Sequence, residues 1–442
     1  MTLHYEFWDQ GFWVKAVVVG GGISGLTIAY RLLKAGLNVQ ILEQSEVLGG
    51  LARSVNLAGQ IVDRHFHFFC ESELDFRRMA SEVGIADRLV WRRISRAVQL
   101  GGKIYPISTP MDVLRFTPLR FLDRLRFAAN VLRGRHFAST RRLDKLTAED
   151  WLKRSAGDVV YETIWRPLLE SKFGEHASCV SAAWLRARQK MQQENIAFIR
   201  GGSALVASTL AERVRRLGGE ITLGVAATGV DLDGSAVAGV STTAGQLSAN
   251  IIVSTLPMPR LLSIAKGPLA EHLERFGGLE YIGVVNTVIL VKRPISPYFW
   301  LNTNDANVSF AGIIDMTNLD PAGSDKPHVV YIPQYCPTDA ELFEAPKQEI
   351  ISRIVGDLVK VNNEFSDDWV LDAQVTKDCF TQHICTPGLL DRIPPCKTPV
   401  RGFFMTEWSQ FYPNDRSVNN SIRIANACAA ATLDFAARRS SF

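Results

Sequence analysis

At 442 residues the chain is too long for one compact core, so two or three domains are expected. Its 47% hydrophobic and 21% charged residues suit an ordinary globular protein, and 49 Lys+Arg against 45 Asp+Glu leave a net charge of +4, too little to argue for a nucleic-acid partner. Seven scattered cysteines (Cys70, Cys179, Cys336, Cys379, Cys385, Cys396 and Cys428), never spaced C-x-x-C, speak for a reducing, cytoplasmic setting and against a disulfide frame or a zinc site.

The opening MTLHYEFWDQGFWVK carries acids where a signal peptide is basic and reads as a short arm before the first strand. No eighteen-residue uncharged apolar run follows anywhere, so no membrane-spanning helix is expected. Residues 16–19 (AVVV) form a buried parallel strand that ends at glycine. Gly20-Gly21-Gly22-Ile23-Ser24-Gly25 then fits G-x-G-x-x-G, and apolar residues recur at helical spacing from Ser24 to Leu37, with Gly36 placed to stop the helix. A second strand, NVQILE, ends in Glu43, eighteen residues after Gly25. Gly20 permits the tight turn, Gly22 lets a pyrophosphate approach the backbone, and Gly25 lets helix and strand pack closely. The helix start offers N–H groups and a positive dipole end, and Glu43 suits free ribose hydroxyls while repelling a 2′-phosphate. The unit is an adenine-dinucleotide site.

The stretch VLGGLARS adds Gly49-Gly50 and Arg53, a second glycine turn with a cation that grips a pyrophosphate from the other side. On these residues the sequence resembles the flavoproteins of the amine oxidase and phytoene desaturase superfamily, which bind FAD. The resemblance runs on through GQIVDRHFHFF, through IWRPLLESKFGEHASCVSAAWLRAR and through GFFMTEWSQFYPNDRSVNNSIRIANACAAATLDFAAR. It implies an α/β fold: a Rossmann-type FAD-binding domain built from residues 15–85, 195–265 and 395–442. An inserted α+β substrate domain takes residues 86–194 and 266–394. The cofactor contacts it implies are Gly20, Gly22, Ile23, Ser24, Gly25, Glu43, Gln44, Gly49, Gly50, Leu51, Ala52, Arg53, Ala227, Glu407, Asn419, Asn420, Ser421 and Ile422. Thr406-Glu407 stands where the family often has Gly-Asp, so Glu407 is expected as a longer acid toward the ribityl chain.

The candidates for chemistry are fewer. Asn419-Asn420-Ser421 precede the last helix, whose N–H groups suit negative charge on the flavin's pyrimidine edge. Arg416 and Arg423 flank that loop and suit phosphate, substrate or solvent. Lys292 ends the strand NTVILVK, where many amine oxidases hold a water against the flavin; the competing reading is a solvated strand end. His65 and His67 alternate along a strand and so share one side, which makes His67 a candidate base or flavin contact and equally a structural histidine. No third ligand is spaced nearby, so no metal is assigned. Asp315 and Asn318 are candidates to line the substrate cavity, whereas Glu170, Lys172 and Trp184 read as helix-packing residues.

Residues 113–136 interleave arginines (Arg115, Arg120, Arg124, Arg126, Arg133, Arg135) with Leu and Phe, and Arg141 and Arg142 follow. Such a helix suits an anionic lipid surface or a solvated face packed on the substrate domain. The expected function is FAD-dependent removal of hydride from a largely apolar small molecule, with the oligomeric state and electron acceptor open. Alternatives are a flavoenzyme like UDP-galactopyranose mutase, which turns over without net redox, and a non-catalytic flavin-binding protein.

Overall fold

The structure is a computed structural model and describes residues 14–136, 139–191, 193–305, 307–319 and 326–439. The expected N-terminal arm therefore lies almost wholly outside the described residues. The strands that shape the site are, in chain order, β1 (Lys15–Val19), β2 (Asn38–Leu42), β3 (Arg96–Leu100), β4 (Lys103–Pro106), β5 (Glu220–Thr222) and β6 (Ile251–Ser254). They continue with β7 (Tyr281–Val291), β8 (Trp300–Thr303), β9 (Gly312–Asp315), β10 (His328–Cys336), β11 (Val370–His383) and β12 (Phe403–Met405). The principal helices are α1 (Ile23–Lys34), α2 (Leu74–Val83), α3 (Phe121–His136), α4 (Arg166–Phe173), α5 (Ala182–Met191), α6 (Lys347–Val361) and α7 (Val418–Arg439).

Five strands form a wholly parallel sheet in the order β5-β2-β1-β6-β12. Its strands come from three distant parts of the chain, and β1 lies at its centre. Ala16, Val17 and Val18 are fully buried, as the apolar run requires when both faces of a parallel sheet are covered. On one face α1 and α7 pack through Leu26, Ile28, Leu32, Ile422 and Ala425. α1 ends at Ala35, and Gly36 (φ 88) closes it by letting Gly36 N donate to Leu33 O and Leu37 N to Leu32 O.

A mixed seven-stranded sheet, β11-β7-β10-β9-β8-β3-β4, forms the second part. Its interior strand β7, next to the edge strand β11, is buried along nearly its whole length. α6 covers one face with Ile350, Ile354 and Leu358. The other face, with Val288, Leu290, Ile314 and Tyr331, turns toward Leu57, Ile196 and the run around Phe66 and Phe68. The helices between residues 110 and 191 pack about Leu152, Trp165, Leu169 and Trp184. The fold is thus a Rossmann-type α/β part joined to an α+β part, and a large cleft lies between them.

Candidate functional site

A cavity of about 710 Å³ starts at the C-terminal end of β1 and runs to the inner face of the seven-stranded sheet. At its first end two glycine turns abut. Gly22 bridges to Gly49, and Gly49 N donates to Gly21 O at 2.9 Å. A Cβ on Gly50, at φ +58, would come within 3.4 Å of Gly22 Cα. The two backbones are thus in van der Waals contact at the cavity wall, and the left-handed φ of Gly50 favours glycine there. No side chain caps the start of α1 at Gly22, so its first-turn N–H groups are left for an anion.

Glu43 accepts from Gly21 N at 2.7 Å and from Ser45 N at 2.9 Å, which fixes its carboxylate at the cavity wall. A carboxylate has about four lone-pair positions, so two stay free for ribose hydroxyls. Arg53 donates from Nε to Gly50 O at 2.8 Å and from Nη1 to Ser45 Oγ at 3.1 Å, tying the second turn to the end of β2. Gln44, Leu51, Ala52 and Ala227 also line the cavity. These residues fit the adenosine diphosphate half of FAD.

A further helix start that reaches the cavity is that of α7. Helix α7 begins at Val418, before the Asn pair, because Ser417 caps it by accepting from Asn420 N at 3.1 Å. The expected contact set therefore shifts: Ser417, Val418 and Ser421 line the cavity, whereas Asn419, Asn420 and Ile422 do not. Asn419 accepts from Phe76 N at 2.9 Å and so anchors α2, while Asn420 donates to Asp415 O at 2.7 Å. Ile422 is fully buried in the core. Glu407 does line the cavity, but its carboxyl accepts from Tyr281 Oη at 2.5 Å and from Ser409 N at 2.7 Å. Burial outweighs these bonds and raises its pKa above the usual carboxylate range.

The far wall carries Phe66, Phe68, Trp300, Ile314 and Phe380, with the two histidines beside them. His65 Nε2 lies 2.9 Å from Asp378 Oδ2, which also pairs with Arg64 at 2.8 Å. Burial, only partly offset by Asp378, lowers the His65 pKa to about 4, so the ring is neutral at pH 7. His67 has Asp63 at 3.7 Å, and its buried Nδ1 has no hydrogen-bond partner among the described residues. It is the freer of the two rings. Because His65 titrates near 4 in the fold against 6.5 ordinarily, the unfolded chain binds more protons between those values. Stability is then full above pH 6.5 and falls toward pH 4, by about 3 kcal/mol. His65→Gln should flatten that limb in urea unfolding series at pH 7 and pH 4.5; an unchanged slope would discount the histidine.

Two expected catalytic residues lie elsewhere. Lys292 follows the last residue of β7, where the strand has already left the sheet; it is half exposed and pairs with Asp368 at 3.4 Å. Asp315 alternates with cavity-lining Ile314 and so faces away, bonded to His328 Nδ1 at 2.8 Å in a buried pair. Asn318 likewise donates to the Ser296 and Tyr298 carbonyls outside the cavity.

In their place the cavity holds a charged cluster. Asp415 accepts from Lys172 Nζ at 2.6 Å and from Arg188 Nη1 at 3.1 Å. Arg416 donates to Tyr335 Oη at 2.9 Å and to Thr381 O at 2.7 Å. Burial alone would raise the Asp415 carboxyl, but Lys172 and Arg188 hold it well below the usual carboxylate range. Lys172 is thus a buried cavity residue rather than a helix-packing one, and Asp415 escaped the sequence reading altogether.

Residues 23–413 match the family described as flavin containing amine oxidoreductase. The 15-cis-phytoene desaturase of Arabidopsis thaliana is 23% identical over 437 residues, covering 89% of this chain and 75% of its own. Among solved structures, a protein of Exiguobacterium sp. 255-15 provisionally named protoporphyrinogen oxidase superposes with a TM-score of 0.75 at 17% identity, covering 95% of this chain and 99% of its own. Reduced UDP-galactopyranose mutase gives 0.73 at 16%, covering 95% and 96%. The match spans α1, the second glycine turn and every strand from β2 to β12, so the chain belongs to the flavin-containing amine oxidoreductase family, an FAD-dependent oxidoreductase by descent.

Proposed function

We propose that the enzyme removes a hydride equivalent from a carbon–hydrogen bond of a largely apolar small molecule. The observation that carries this reading is the continuity of the cavity from the glycine cradle to a wall of Phe66, Phe68, Trp300, Ile314 and Phe380. When bound, FAD supplies the hydride acceptor. The chain's own residues hold the pyrophosphate and ribose at one end, and at the other stack an apolar body and exclude water. His67 stands at the cavity wall, its Nδ1 without a partner among the described residues, to take or give a proton. Residues 86–194 and 266–394, together with the 65–68 run, then form the substrate side. The test is anaerobic: a panel of polyenes, cyclic amines and porphyrinogens is mixed with the yellow protein while flavin absorbance is followed. Bleaching by an apolar member supports the reading. Turnover of a sugar nucleotide only after prior reduction of the flavin replaces it with a mutase, a second reading supported by Arg188, Arg260 and Arg416 at the cavity wall.

The same proposal includes a lipid surface as partner. Phe121, Leu122, Leu125 and Leu132 are exposed on one side of α3, with exposed Arg126 and Arg133 beside them and Met111, Leu114 and Arg120 nearby. An apolar stripe flanked by arginines suits the plane of an anionic bilayer. Among the described residues no helix is long and apolar enough to cross one. Phe121→Ser with Leu122→Ser should weaken co-sedimentation with phosphatidylserine vesicles by about tenfold or more at unchanged flavin content. Equal binding of the variant removes the surface from the proposal.

A further inference from the structure

We infer that the substrate carries an anionic group, and that Arg188 is the residue that selects it. This rests on the oxidoreductase reading above and narrows its substrate to an apolar body with a charged end. Lys172, Arg188 and Arg416 are three cations on one stretch of cavity wall, and the carboxylate among them is Asp415. The other acids of the wall are occupied elsewhere. Asp378 pairs with Arg64 and His65; Glu407 accepts from Tyr281 and Ser409; Glu73 is buried and accepts from Cys70 N; Glu43 belongs to the nucleotide end. Positive charge therefore exceeds negative at this wall, where burial makes each uncompensated charge costly. A second carboxylate or a phosphate entering with the substrate balances it.

The three cations are not equally available. Lys172 is buried with its ammonium on Asp415. Arg416 spends donors on the Thr381 carbonyl and the Tyr335 hydroxyl. Arg188 contacts Asp415 through Nη1, lies over the Trp300 ring at 5.7 Å, and keeps 28% of its side chain exposed to the cavity. A guanidinium has five N–H donors in a planar fork that suits a carboxylate or phosphate bidentately. Asp415 holds one edge of that fork and the Trp300 ring supports its plane, so Arg188 is oriented before the substrate arrives. Trp300 also belongs to the aromatic wall, which puts the anion and the apolar body side by side.

Calorimetric titration of the FAD-bound enzyme with decanoate, decyl phosphate and decanol tests the inference. At least one of the anions should bind about 10- to 100-fold more tightly than decanol, as hydrogen bonds to charged groups allow. Which anion wins tells carboxylate from phosphate. Arg188→Gln should erase the preference without changing decanol affinity or flavin content, and Arg188→Lys should restore part of it. Decanol binding as tightly as both anions, no anion binding at all, or a preference that survives Arg188→Gln overturns the inference. Failure of the underlying reading looks different: the anion preference persists while no apolar acid bleaches the flavin anaerobically.

Discussion

The Gly25→Ala variant is expected to purify colourless, retaining less than about a tenth of the wild-type flavin, a loss of more than about 1.4 kcal/mol in binding. An ideal Cβ at Gly25 would stand 1.9 Å from Gly20 O and 3.1 Å from Gly20 C, so the obstruction is backbone and cannot rotate away. Gly20 cannot yield either. Its φ of +110 is closed to other residues, its N–H donates to Leu42 O at 2.8 Å, and Thr255 Oγ1 fills the space a side chain would need. Helix α1 must therefore lift from β1, which opens the turn that presents N–H groups to the pyrophosphate. Overpacking of this kind costs about 1–3 kcal/mol even where side chains give way. Gly59→Ala is the matched control, since its φ is +83 but nothing lies within 4 Å of an added Cβ. It should lose about 1 kcal/mol of stability and keep its colour. The ratio of flavin to protein absorbance decides, and a fully yellow Gly25→Ala protein contradicts the close-packing account.

Such short-range features were legible because their causes are local. The glycine turn, α1 and the acid at Glu43 lie within one strand–helix–strand unit, where helical and strand periods leave little freedom. The parallel sheet was readable for the same reason, from apolar runs such as AVVV. The substrate wall was not, because its geometry is set across the chain. Lys172 and Asp415 meet at a separation of 243 residues, and nothing near Asp415 in sequence distinguishes it from a loop acid. Lys292 misled because a lysine at a strand end looks the same whether the strand ends inside the sheet or beyond it. Asp315 misled by one residue of alternation: Ile314 faces the cavity, so its neighbour cannot. At α7 the error was a cap. Ser417 starts the helix one residue before the Asn pair, which turns Asn419 and Asn420 to structural duties.

Removing Asp415 should cost more than any other single truncation in the cavity. Its side chain is 5% exposed and carries a full charge, because Lys172 and Arg188 outweigh the burial that would neutralise it. In Asp415→Ala the Lys172 ammonium, 12% exposed, keeps only ring faces near it: Trp184 at 4.9 Å, Tyr335 at 5.7 Å and Phe173 at 5.9 Å. Cation–ring attraction is worth about 0.5–2 kcal/mol, well short of a lost ion pair. Breaking a buried pair from one side typically costs about 3–5 kcal/mol, so unfolding in urea should shift by that amount at pH 7. The sign of the pH dependence follows from the depressed carboxyl. Its stabilisation is present above the ordinary aspartate value, about 3.9, and is lost as pH falls below it, so the variant's deficit should shrink in acid. Lys172→Met combined with Asp415→Leu removes both buried charges, and the pair should be less damaging than the sum of its singles by about 1–3 kcal/mol. An Asp415→Ala protein within about 0.5 kcal/mol of wild type, or a strictly additive double variant, would mean that water reaches Lys172 and that the cluster is solvated rather than buried.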